Sequence, residues 1–284
     1  MKVAIIGAGD MGKWFAEFAK KLGRVTISDI NKVKAKKVAS ELRISAEPII
    51  KATRRSDLIV VAVPISKTPS ILKRLAKNAR PGTLLTDLAS VKSDVVEAMQ
   101  KIDAKIELVS FHPLFGPRAV TIRDKDVVVV PVKPGKRYWE LKKIFKRSGA
   151  RITEMDADTH DRVMAIIQCM THFVLISYVH YLKSIKLNKK YAKLRTPMSD
   201  ALTNLSKAIL AGNAKVFSEI QAHNKFSKNV RKSFIESSRS LHLAFKTGEA
   251  KSVEKVFCDA LKGIGTHEAR LAYNIVYSQF EEIV

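Results

Sequence analysis

Two kinds of hydrophobic spacing divide this chain. In the first half, short apolar runs of strand character alternate with stretches whose apolar positions recur at helical spacing. Lys2-Val3-Ala4-Ile5-Ile6 is the first such run, and Trp14, Phe15, Phe18, Ala19 and Leu22 then fall on one helical face. The pattern continues with a strand over 25–28, a helix over 32–42 and a near-continuous apolar strand over 57–63, as expected of a parallel strand covered on both faces. Further helices are predicted over 70–78, 93–100 and 138–147, and strands over 83–86, 106–109, 127–130 and 150–153. Such alternation predicts an α/β domain built on a doubly wound parallel sheet, whose ligands bind beyond the carboxyl ends of the strands. The ends that carry Val63-Pro64, Asp87 to Ser90 and His112 are expected to line one crevice.

From Asp156 onward helical spacing alone remains, over 162–182, 199–210, 214–245, 253–261 and 268–280, with breaks at Gly212-Asn213 and Gly248. The expected organisation is a doubly wound domain over 1–154 and an all-helical domain over 155–284. The longest apolar stretch, 163–182, is interrupted by Gln168, Thr171, His172 and His180, which predicts a buried helix and not a membrane span. Helices with so much apolar surface predict burial against a second copy of the chain. No composition shift follows the helices, so no appended regulatory domain is expected.

The composition changes this picture at one point. Of 284 residues 46% are hydrophobic and 27% charged, ordinary for a soluble protein, but the formal net charge is +24. A basic surface is the footprint of phosphate binding, which makes a nucleic-acid partner a rival reading. The lysines are spread over nearly every predicted helix, however, as on a solvated face; such charge would also favour an anionic small substrate and does not by itself choose between the two. Two cysteines, Cys169 and Cys258, make no disulfide framework and suit a cytoplasmic location. No leader is expected, because Met1-Lys2 runs straight into a strand.

Chemistry enters at the first turn. Gly7-Ala8-Gly9-Asp10-Met11-Gly12 stands between strand and helix, the full context of the dinucleotide fingerprint of a Rossmann-type sheet. Gly7 is expected to allow the tight turn, Gly9 to let a pyrophosphate approach the backbone, and Gly12 to let helix and strand pack closely. Asp29, at the end of the second strand, is placed to bond the adenosine ribose hydroxyls and to repel a 2'-phosphate. NAD is therefore favoured over NADP, although Lys32 and Lys34 soften that preference. In Phe111-His112-Pro113-Leu114-Phe115-Gly116-Pro117 the imidazole is held on stiff backbone, and it can exchange a proton near neutral pH. Ser90, in Asp87-Leu88-Ala89-Ser90-Val91-Lys92, is either a helix cap or a partner for a substrate hydroxyl, beside a lysine that could hold an anion.

These two segments, together with His160-Asp161 and Gln168-Cys169-Met170-Thr171-His172-Phe173, resemble the prephenate dehydrogenase family, which includes arogenate dehydrogenases. The resemblance covers the first domain and the first helix of the second. It implies NAD-dependent oxidative decarboxylation of prephenate to 4-hydroxyphenylpyruvate in tyrosine biosynthesis, by a homodimer with its site in the cleft between domains. It further implies that His112 takes the proton of the ring hydroxyl, that Ser90 bonds the same hydroxyl, and that His172, with Gln168 on the same helical face, either shapes the substrate pocket or is a buried structural residue. The family's arginine for the substrate carboxylate has no match in Asn204-Leu205-Ser206-Lys207-Ala208. Lys207, Arg195, Arg118 and Lys92 are the cations that could replace it, and arogenate stays open as substrate. The rival enzyme class, β-hydroxyacid dehydrogenases, relies on a lysine base on the long helix, and 163–181 contains no lysine. The rival outside enzymes is a basic nucleotide- or nucleic-acid-binding regulator.

Overall fold

The computed structural model describes residues 1–185, 194–246 and 248–281. Two compact units emerge, one of Met1–Met164 with Ser218–Lys225 and one of Ala165–Phe217 with the residues from Phe226 onward.

The first unit is the expected α/β fold. Its strands β1 (Lys2–Ile6), β2 (Arg24–Ser28), β3 (Ser45–Ala46), β4 (Leu58–Val61), β5 (Leu84–Asp87), β6 (Glu107–Pro113), β7 (Asp126–Lys133) and β8 (Arg151–Glu154) form one eight-stranded sheet in the order β3-β2-β1-β4-β5-β6-β7-β8. The helices are α1 (Asp10–Ala19), α2 (Lys32–Leu42), α3 (Ile49–Arg55), α4 (Thr68–Ala76), α5 (Ser93–Gln100), α6 (Lys136–Arg147) and α7 (Ala157–Met164). Strands β1 and β4 are buried along almost their whole length, which is why they read as continuous apolar runs. Phe15, Phe18, Phe111, Tyr138 and Phe145 pack into one aromatic cluster within the core; removing a ring such as Phe145 costs about 3–5 kcal/mol.

Two expectations are corrected here. The sheet is not wholly parallel, since β7 runs antiparallel to β6. The chain between them, 114–125, contains no helix, and antiparallel neighbours need no helical crossover. His112 also lies within β6, opposite Val128, and not beyond the end of a strand at Val109; the apolar face of β7 supplies the pairing that carries β6 on to Pro113. The exposed two-residue β3 and the short α3 were too brief and too polar to show in the pattern.

Among its described residues the second unit is helical. Residues 165–170 form a π-helical segment, followed by α8 (Thr171–Ser184), α9 (Pro197–Leu210), α10 (Ala214–His223, shared between the units), α11 (Ser227–Lys246), α12 (Ala250–Ile264) and α13 (Thr266–Glu281). Thr196 and Ser199 form a reciprocal capping box at the start of α9, with Pro197 in its first turn. The single helix expected over 214–245 is broken between α10 and α11, where Asn224 is buried and donates to the Asp161 carbonyl. The helix expected to be buried over 163–182 is largely uncovered in the single chain: no residue of α8 is buried, and Ile166, Ile167 and Tyr181 are exposed. Ala157–Ser184 is long and apolar enough to cross a membrane by length and composition.

Candidate active site

The glycine turn fits a dinucleotide on three observations. A side chain at Gly7, whose φ is +112°, would collide with the Ala62 carbonyl, and one at Gly12 would meet the Gly7 carbonyl, so both positions exclude any larger residue. Gly9 instead faces open space, with nothing within 4 Å of where a Cβ would stand. The Asp29 carboxylate, directly beyond β2, accepts from the Ala8 amide at 2.7 Å and the Asn31 amide at 2.8 Å, which ties it to the turn. Asp10, exposed, and Met11, half-buried, open α1, with Gly9 as its N-cap. Val63 and Pro64 follow β4, the strand beside β1, and the Glu219 carboxylate accepts from the next amide, Ile65, at 2.7 Å and from Ser66 Oγ at 3.0 Å.

Two strands along, β6 carries His112 into a buried chain of hydrogen bonds. His112 Nδ1 stands 2.8 Å from His160 Nε2, and His160 Nδ1 stands 2.7 Å from Asp161 Oδ1. Both histidines and Asp161 are enclosed. Burial, the neighbouring His160 and the Lys92 charge hold His112 well below the ordinary histidine pKa of 6.5. Burial also lowers His160, against the opposing pull of its Asp161 hydrogen bond. Burial opposes ionisation of Asp161, but hydrogen bonds from His160, from Ser93 and from the Lys92 and Ser93 amides outweigh it and keep the carboxyl below the usual range. The site therefore holds a neutral imidazole pair against a carboxylate.

Asp161 also anchors the loop that carries Ser90. It accepts from the amides of Lys92 and Ser93 at 2.8 Å each and from Ser93 Oγ at 2.6 Å. Ser90, half-buried, makes no side-chain hydrogen bond among the described residues and does not cap α5, whose N-cap is Lys92. Lys92 itself is a correction. Its side chain is fully enclosed, with Nζ donating to Asp87 Oδ1 at 2.9 Å and to the Phe111 carbonyl at 2.7 Å, so it presents no charge to a substrate. Burial lowers its pKa against the attraction of Asp87.

Gln168, His172, Arg195 and Lys207 lie in the second unit. Gln168 falls in the π segment, so regular α spacing does not relate it to His172 on α8. Gln168 Oε1 and His172 Nδ1 are buried without a hydrogen-bond partner, while the His172 ring meets Phe217 edge-on at 4.6 Å. Arg195 is committed to Asp200 at 2.7 Å, and Lys207 is exposed on α9, as is Arg118 in the β6–β7 loop. His160 and Asp161 entered the sequence reading only among the segments that carry the family resemblance and were given no role at the site; the start of α7 is served instead by Asp156, which accepts from the Thr159 amide.

Two family models cover most of the chain: the nucleotide-binding domain of prephenate dehydrogenase over residues 15–154 and its dimerization domain over 156–258. The chain belongs to the prephenate dehydrogenase family. Its N-terminal part is the family's nucleotide-binding domain and its C-terminal part the dimerization domain. A probable arogenate/prephenate dehydrogenase of Methanocaldococcus jannaschii is 29% identical over 96% of this chain, which spans 63% of that protein's length. The 4-amino-4-deoxyprephenate dehydrogenase of Streptomyces pristinaespiralis is 26% identical over 95% of this chain and 93% of its own. The crystal structure of Aquifex aeolicus prephenate dehydrogenase, solved with hydroxyphenyl propionate and NAD+, has the same fold, with a TM-score of 0.75 and 22% identity over 93% of this chain and 97% of that one.

Proposed function

We propose that this protein is an NAD-dependent dehydrogenase that converts prephenate to 4-hydroxyphenylpyruvate and carbon dioxide, as a step toward tyrosine. The observation that carries this reading is the buried imidazole pair, His112 and His160, with the Ser90 loop tied to the same carboxylate. It is a neutral base carried by β6, with a serine hydroxyl in the loop after the neighbouring strand β5, in the same sheet as the glycine turn. Gly7 to Gly12 and Asp29 would hold the dinucleotide, with Val63 and Pro64 alongside, and bound NAD supplies the hydride acceptor. His112 takes the proton of the ring hydroxyl, and Ser90 bonds the same oxygen and orients it. As the hydride leaves the ring carbon, the bond to the ring carboxylate breaks and its electron pair completes the aromatic ring. His112 returns its proton to the phenolate oxygen, so no further base is consumed. Aromatisation makes the step effectively irreversible.

Gln168 and His172 are read as pocket residues, in keeping with their buried, unpartnered polar atoms. Lys207 and Arg118 are the cations proposed for the substrate carboxylate, since Lys92 is enclosed and Arg195 is paired. The uncovered apolar face of the helix 157–184 is read as the dimer contact of a soluble, cytoplasmic protein, in keeping with the dimerization-domain match over 156–258. Each large apolar side chain covered there contributes about 1.5–3 kcal/mol.

The test is formation of reduced cofactor by the purified protein with prephenate and with arogenate, each with NAD and with NADP. Turnover fastest with prephenate and NAD supports the reading. Preference for arogenate would move the specificity within the family, and no turnover of either substrate would sink the assignment.

A further inference from the structure

We propose that Asp161 is a positioning residue that dictates the tautomer of His112 through His160 and, with its other bonds, places the Ser90 loop. The inference rests on the reading of His112 as the base. An ionised carboxylate has no proton to give, so the 2.7 Å contact between Asp161 Oδ1 and His160 Nδ1 requires the proton on His160 Nδ1. A neutral His160 then offers only a lone pair at Nε2. The 2.8 Å contact to His112 Nδ1 is satisfied only if His112 carries its proton there. His112 Nε2 is left with its lone pair, the form a base needs. Two proton positions, and the free lone pair on His112 Nε2, therefore follow from one carboxylate.

The same carboxylate holds the neighbouring loop. Its two oxygens accept from the Lys92 amide, the Ser93 amide and Ser93 Oγ, so each oxygen takes two donors and the group cannot rotate without losing bonds. Ser90 lies two residues before this anchor. The backbone carbonyl of Asp161 is fixed in turn by Asn224 at 2.7 Å. When His112 takes the hydroxyl proton it becomes an imidazolium with both nitrogens protonated. Asp161 stays ionised and compensates that charge across His160, and the proton goes back to the product oxygen.

Two measurements test this. Long-range ¹H–¹⁵N spectra of the labelled protein at neutral pH, with His112→Ala identifying the His112 signals, should show a protonated, pyrrole-type Nδ1 and an unprotonated, pyridine-type Nε2. The opposite pattern in the wild-type protein overturns the proposal. Asp161→Asn offers an amide that can donate to His160 Nδ1. It should reverse both tautomers, leave NAD affinity nearly unchanged and lower kcat by roughly 10⁴, the size of effect seen when the same change inverts the catalytic histidine tautomer of a serine protease. A variant that keeps wild-type kcat overturns the proposal. Should Asp161→Asn fail to fold, the wild-type spectrum decides alone. A protein that shows the expected tautomer yet oxidises neither substrate supports the positioning role and sinks the assigned reaction.

Discussion

Lys92 Nζ stands 2.9 Å from Asp87 Oδ1 with both side chains wholly enclosed. Asp87 also accepts from the Ala89 amide and from Ser110 Oγ, so the pair joins the end of β5, the Ser90 loop and β6. Removing one partner of a buried ion pair leaves the other charge uncompensated, at a cost of about 3–5 kcal/mol. Lys92→Met should therefore lower the urea midpoint sharply, a large fraction of the roughly 5–15 kcal/mol that holds a domain together. An unchanged midpoint would mean that the lysine is not the internal cation described.

The role given to His112 predicts a loss confined to chemistry. His112→Ala should lower turnover by roughly 10²–10⁴. Isothermal titration should find NAD binding nearly intact, because the glycine turn lies on other strands. Near-normal turnover would remove His112 from the reaction.

The pH profile carries its own sign. The base acts in its neutral form, and burial, His160 and Lys92 depress its pKa well below 6.5. The neutral form therefore persists as pH falls through 6.5, and kcat/KM should hold its neutral value there and decline only at lower pH. An acid limb at or above pH 6.5 would contradict the buried environment described.

Gly9 separates folding from binding. Its φ of −73° suits any residue, and nothing lies within 4 Å of an added Cβ, so Gly9→Ala should leave stability within about 0.5 kcal/mol of wild type. The methyl group would stand where a pyrophosphate must approach. NAD affinity should fall by at least about tenfold, or about 1.4 kcal/mol. Unaltered affinity would show that the dinucleotide does not cross this turn.

Asp29→Ala should weaken NAD more than NADP, because the carboxylate is read as the ribose ligand that repels a 2'-phosphate. Its bonds to the Ala8 and Asn31 amides make some loss common to both cofactors, so the ratio of the two affinities is the diagnostic. A constant ratio would mean that Asp29 does not read the ribose.

What the sequence determined by itself was whatever a short window contains. The alternation of strand and helix, the glycine turn between β1 and α1, and the change to helices after Asp156 follow from local spacing and backbone geometry, which need no distant partner. The tertiary structure alone decided the chemistry of pairing. His112 meets His160 48 positions away, and Asp161 reaches back 69 positions to the Lys92 amide, distances over which no pattern specifies a partner. The lysine of the Ser90 loop read as a free cation because lysine is almost never buried unless paired, and its partners Asp87 and Phe111 become visible only when the two neighbouring strands β5 and β6 are brought together. The exposed apolar helix is the converse case: its spacing told of burial, but what covers such a face depends on a surface that one chain does not contain.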